Sequence, residues 1–201
     1  MSLEAYFGQR VPEAWNARYD EQVSRADEGA ELLEKMNASN FTLEVRVSDR
    51  PDVSFNLRIE KGRMSVSDTA DPEPLLILVM SAENARHIER EVGPSPMQLL
   101  GGVGGHADFV ITPNRAEHIR ELEGTVGISV TGDPSWQVVM HFGPEPIPDP
   151  APTRITLGGA EYAMLRSGEL DLQGAFMTQK LALDGEVEFA MKMALALMAE
   201  E

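Results

Sequence analysis

The helix that ends this chain is the feature its fold has to accommodate. From Glu186 onward the sequence predicts a helix whose wet side, Glu186, Glu188 and Lys192, is confined to its start. Between Met193 and Ala199 no side chain is polar. A surface helix needs only one apolar stripe. A helix that is apolar on almost every side needs a second neighbour besides its sheet: more core, a partner chain or an apolar ligand. Leaving it in water is costly, because burying Met193, Leu195, Leu197 or Met198 is worth about 1.5–3 kcal/mol each. Ahead of it the sequence predicts a β run at 154–157, a helix over 160–166 that stops at Gly168, a segment at 171–179, and a β run at 180–183 that turns at Asp184-Gly185.

The first thirty-six residues carry a different pattern. Leu3, Tyr6, Phe7, Val11, Ala14, Trp15 and Tyr19 recur near helical spacing, and Val23, Ala26, Ala30, Leu33 and Met36 continue it. Residues 1–38 are therefore expected as a helical segment packed on a sheet, with an oligomerisation arm as the sharper alternative. Alternation at 41–47 and 53–59 predicts two half-buried strands, and a hairpin at 60–63 leads to a third at 64–66. The run Leu75 to Met80 is continuously apolar, as in a strand buried on both faces. Ser81 caps a helix over 82–92 that Gly93-Pro94 ends, and Pro113 opens another over 114–122. Strands follow at 126–130 and 136–142. Proline at every second residue from 144 to 152 makes a stiff crossover.

The order of elements in 41–122 resembles that in 125–199: strand, hairpin, strand, Pro-rich break, strand, helix. Two tandem trimmed units forming a pseudo-dimer are one explanation. The coincidences expected of any α+β sheet are the other. A pseudo-twofold between the halves would separate them.

Composition excludes several classes of function. A net charge of −16 repels phosphate backbones and anionic bilayers, so no nucleic acid partner and no stable membrane insertion are expected. With no cysteine, disulfides and thiolate chemistry are out. No apolar run reaches the ~20 residues of a membrane span. The start lacks a signal-peptide pattern and the end, Ala199-Glu200-Glu201, is not a peroxisomal address. A cytoplasmic protein is the expectation.

The last fifty residues carry a resemblance. Ser167-Gly168, Ala175-Phe176-Met177, Lys180-Leu181-Ala182-Leu183-Asp184-Gly185 and Ala190-Met191-Lys192 follow the order found in the C-terminal half of the sterol carrier protein type 2, or non-specific lipid-transfer, family. Gln179 stands where the family usually has glycine. The resemblance implies an α+β fold, a mainly antiparallel sheet with helices packed on one face, in which residues 39–201 form the sterol-carrier-like domain. It implies an apolar tunnel between the sheet and the terminal helices, no cofactor, and no catalytic residue, because the family binds lipids without transforming them. Eukaryotic members often carry the peroxisomal address that this chain lacks, so the resemblance implies a bacterial protein.

Few residues invite chemistry. The run Gly101-Gly102-Val103-Gly104-Gly105-His106 has neither a phosphate-loop ending nor GxGxxG spacing, so a flexible loop is expected there. His87, His106, His118 and His141 show no two-histidine metal spacing; His106 with Asp108 is the closest pair and lacks a third ligand. No Gly-x-Ser-x-Gly elbow is present. Met164, Met177, Met191, Met193 and Met198 crowd the last forty residues, and methionine suits either an irregular core or a pocket that repacks around varied ligands. On the family resemblance, Met164, Leu165, Phe176, Met177, Leu181, Phe189, Met193 and Leu197 are expected to line a cavity for a fatty acid, acyl-CoA, sterol, quinone or isoprenoid. The alternative is an interaction module whose apolar helix meets a partner enzyme or forms a homodimer.

Overall fold

The computed structural model describes residues 2–93, 111–133, 135–144, 146–170 and 172–199. The glycine run at 101–106 and the His106–Asp108 pair fall outside them.

The expected N-terminal helices form. Helix α1 (Leu3–Ala5) starts at Ser2, whose hydroxyl accepts from the Ala5 amide at 3.1 Å. It passes through a π-helical segment (Tyr6–Arg10) into α2 (Val11–Ser24), and α3 (Ala26–Ala38) returns. Their apolar stripe is anchored by polar contacts to the sheet edge. Trp15 Nε1 donates to the Gly62 carbonyl at 2.8 Å, and Asn16 both donates to and accepts from the Met64 backbone at 2.9 Å.

Eight strands follow: β1 (Asn40–Val47), β2 (Ser54–Glu60), β3 (Arg63–Ser67), β4 (Leu76–Met80), β5 (Gly124–Thr131), β6 (Trp136–Phe142), β7 (Thr153–Gly158) and β8 (Leu181–Asp184). They make one sheet in the order β3-β2-β1-β4-β6-β5-β7-β8. Only β1–β4 and β5–β7 are parallel; the other neighbours are antiparallel. Helices α4 (Ala82–Val92), α5 (Pro113–Arg120), α6 (Gly159–Ser167), α7 (Leu172–Met177) and α8 (Val187–Met198) complete the described elements.

Alternation decides which face is dry. Leu43, Val45 and Val47 on β1 lie beside Leu76, Leu78 and Met80 on β4, and Leu78 beside Met140 on β6. All of them belong to the main core, with Tyr6, Phe7, Val11, Ala85, Ile88, Ile119, Leu165, Met193 and Leu197 from the helices. The α+β architecture with helices on one face is therefore what forms. The reverse face carries Thr42, Glu44, Arg46, Asn56, Gln137 and His141. There His141 pairs in register with Ile77 and Thr125, and its Nδ1 lies 2.7 Å from the Thr125 hydroxyl.

The two halves of the sheet share a register. Leu43 pairs with Leu57 and Val45 with Phe55 in β1–β2. Val126 pairs with Met140 and Ile128 with Val138 in β5–β6, and a single sequence offset carries the first set onto the second. Order and direction are both kept: β2-β1-β4 corresponds to β6-β5-β7, each with a parallel pair at the same place. The relation is thus a shift along the sheet. A twofold lying in the sheet or normal to it would reverse strand order or direction, so the twofold-related pseudo-dimer considered from sequence is not the arrangement of these strands.

Candidate functional site

The C-terminal region is built by successive caps. After β7, helix α6 ends at Gly168 in the left-handed conformation (φ 76°), with its amide donating to the Leu165 carbonyl at 3.2 Å. The segment expected at 171–179 contains the short helix α7, closed by the Lys180 amide on the Ala175 carbonyl at 2.8 Å. Gln179 takes φ 56°. That is the region glycine enters freely, so the turn into β8 persists although glutamine stands there. Gly185 (φ 92°) then turns the chain against the Pro152 carbonyl, where no Cβ fits.

Helix α8 is held from below and at its end. Phe189 packs over Gly124, where an added Cβ would come within 2.7 Å of the ring, and stands edge-on to Phe142 at 6.1 Å between centroids. Met193 and Leu197 continue the inward stripe and are fully buried. At the C-terminal end the Arg115 guanidinium of α5 donates to the Ala199 carbonyl at 3.1 Å, satisfying a helix-end acceptor.

The eight residues expected to line a cavity divide into two sets. Leu165, Leu181, Phe189, Met193 and Leu197 are all buried in the main core, with Met164 half-buried. Phe176 and Met177 are at the surface of α7. The side chain of Met198 lies outside the described set.

The all-round apolar character read from the sequence resolves into a second stripe. Val187, Met191 and Leu195 recur at i, i+4 and i+8 on the outer side of α8. They are exposed by 43%, 60% and 64%, while Phe176 and Met177 reach 49% and 73%. The signal was the same four-residue spacing that marks Phe189, Met193 and Leu197, displaced by two positions. Beside its first turn opens a cleft of about 650 Å3 whose lining includes Leu122, Phe189, Val187, four glutamates (Glu121, Glu123, Glu186, Glu188) and Lys192. Lys192 is tied to Glu188 at 2.8 Å, and its hydrogen bond holds that carboxyl below its ordinary pKa.

Two buried tyrosines lie where α1, α4 and α6 approach. Burial pushes the Tyr162 hydroxyl up to about 12 and raises Tyr6 further. Tyr6 donates to the Gly93 carbonyl at 2.7 Å, whereas the Tyr162 hydroxyl has no hydrogen-bond partner among the described residues. Among those residues no group of three histidine, aspartate or glutamate side chains is placed to hold a metal, and no helix is long and apolar enough to cross a membrane.

These elements, from α5 to α8, coincide with a known family. Residues 108–198 match the SCP-2 sterol transfer family. The resemblance read from the last fifty residues therefore extends upstream through α5, β5 and β6, and lipid or sterol binding and transfer is what that family suggests. A solved structure, Sterol Carrier Protein 2 from Yarrowia lipolytica in its apo form, is similar at 20% identity with a TM-score of 0.32, over 53% of this chain and 92% of that one. No curated protein matches the sequence.

Proposed function

We propose that this chain binds a bulky apolar ligand for transfer or presentation: a fatty acid, acyl-CoA, sterol, quinone or other isoprenoid. The observation that carries the reading is the SCP-2 sterol transfer match over 108–198, which spans the whole apolar layer formed by α6, α7 and α8. The inward set, Leu165, Leu181, Phe189, Met193 and Leu197, supplies the lining, with Met164 at its margin. Those side chains are already buried, so uptake requires α8 or α7 to move aside. Phe176 and Met177 would then be the first apolar surface an entering ligand meets. Desolvation provides the affinity, with few polar groups to orient the ligand. No catalytic step, no cofactor and a cytoplasmic setting belong to the same reading.

Mass spectrometry of an organic extract, beside native mass spectrometry of the intact protein, tests this. A stoichiometric lipid or isoprenoid is the expected result. An empty protein that also fails to take up a fluorescent fatty acid would overturn it. The exposure of Val187, Met191 and Leu195 favours a second reading, in which the terminal helix meets another macromolecule.

A further inference from the structure

The outer stripe of α8 and the acidic cleft at its start are one continuous surface, because Val187 belongs to both. From Val187 to Leu195 the stripe spans eight residues, about 12 Å or two turns of helix. Its apolar members are a valine, a methionine and a leucine. Methionine adapts its shape to varied partners. The floor of the cleft is Leu122 and Phe189, both buried. Its lining sets four glutamates against one lysine, and that lysine is already paired with Glu188. A whole-chain charge of −16 deepens the same field. A second copy would bring the same negative charge to the contact, and an anionic bilayer would be repelled.

We propose that this surface docks a basic amphipathic helix from a partner protein. Apolar side chains at i, i+3 or i+4, and i+7 of that helix lie along Val187, Met191 and Leu195. Its flanking lysines or arginines meet Glu121, Glu123 and Glu186. Apolar contact supplies the affinity, and the glutamates set the sign of the partner and speed its arrival. This goes beyond the lipid-binding reading and does not depend on it, because the stripe Val187, Met191 and Leu195 lies on the outer side of α8 and only Phe189, at the floor of the cleft, is shared with the inward set.

The test uses the full chain and a fluorescent synthetic peptide of about 18 residues, five turns of helix, built from leucine and lysine at amphipathic spacing. A scrambled peptide of the same composition is the control. The amphipathic peptide is expected to bind and the scrambled one to bind at least tenfold more weakly, about the effect of one lost leucine anchor. Replacing Leu195 and Met191 by glutamine removes the stripe without adding charge, and should weaken binding by a similar factor. Both residues are exposed, so circular dichroism should show an unchanged fold. Glu121→Lys with Glu123→Lys should weaken binding severalfold and flatten its salt dependence. Equal binding of the two peptides would reduce the effect to charge alone and overturn the proposal. A concentration-dependent dimer abolished by Leu195→Gln would overturn it in favour of a second copy. Flotation on phosphatidylcholine vesicles abolished by the same change would overturn it in favour of a lipid surface. Lipid extraction from the Leu195→Gln protein separates this outcome from failure of the ligand reading, since the inward set is untouched.

Discussion

Three strands of each half of the sheet, β2-β1-β4 and β6-β5-β7, share their order and directions, but the halves do not share their cover. Over β1–β3 the dry face is closed by residues from the start of the chain. Tyr6, Phe7 and Val11 are buried, Phe7 packs on Phe55 at 5.3 Å, and the edge strand is bound by Trp15 and Asn16. Over β5–β8 the cover is α6, α7 and α8, and it leaves Phe176, Met177, Val187, Met191 and Leu195 facing outward. Among the described residues the remaining large exposed hydrophobics are Val23 and Val66 alone. The same strand scaffold thus carries a sealed helix layer in one half and an apolar-surfaced one in the other. The proposed binding belongs with the second, because contiguous exposed apolar surface marks interaction sites.

The largest expected effects probe whether both covers are structural. Phe7→Ala should cost about 3–5 kcal/mol and Met193→Ala about 2–5 kcal/mol, read by urea denaturation. If Met193→Ala costs almost nothing, the layer under α8 is loosely packed and the contrast becomes one of packing density. Next is Gly124→Ala. The new methyl group meets the Phe189 ring, so a loss of about 1–3 kcal/mol is expected. A lower Tm with unchanged ligand uptake would place Phe189 in a purely packing role.

The two tyrosines sharpen the comparison. Tyr6→Phe leaves the Gly93 carbonyl without its donor and should cost about 1 kcal/mol. Tyr162→Phe removes a hydroxyl that has no partner among the described residues and should be close to neutral or stabilising. Both folded-state values lie above the ordinary tyrosine value of about 10. The neutral form is favoured on folding, so this stability is complete below about pH 10 and is lost as pH rises, for Tyr162 through about 12. Each phenylalanine variant should therefore flatten the alkaline limb of the stability curve. An unchanged limb in both would mean that neither hydroxyl is protected from solvent. The smallest stability change is expected at the exposed stripe: Leu195→Gln should stay within about 0.5 kcal/mol while weakening peptide binding. Strong destabilisation there would show the stripe to be core in solution, and would remove the contrast between the covers.

Much of the fold was legible because periodicity reports burial directly. Alternation at 41–47 and 53–59 gave β1 and β2, the apolar run at 75–80 gave β4, and Ser81 and Gly168 marked helix ends that form with those caps. Helix α7 was hidden, since Gly174 and six residues of length leave no periodic signal. The π-helical turn at Tyr6–Arg10 keeps an apparently ordinary helical stripe. The junction of β4 with β6 could not be read at all, because pairing between distant strands leaves no mark on either strand's own pattern. At the site, the all-round apolarity of α8 was legible, but not which of its two stripes, Phe189, Met193 and Leu197 or Val187, Met191 and Leu195, faces out. Both consist of apolar residues four apart, and only the packed structure says which faces water. Phe176 and Met177 illustrate the same ambiguity: their side chains are greasy enough for a cavity, yet they stand in solvent on α7.

The β4–β6 junction carries a consequence for how the molecule folds and breathes. It is the ladder on which the unity of the sheet depends, and its register holds three pairs, Ile77 with His141, Leu78 with Met140 and Val79 with Val139. The β1–β2 ladder has seven pairs and the β5–β6 ladder seven. A chain assembled this way can form each half from near-neighbour contacts during synthesis and join them last. Its cheapest partial opening then runs along that seam. Amide hydrogens of Ile77, Val79 and Val139 should exchange ahead of those at the centres of β1 and β5, as two cooperative units part before either unfolds.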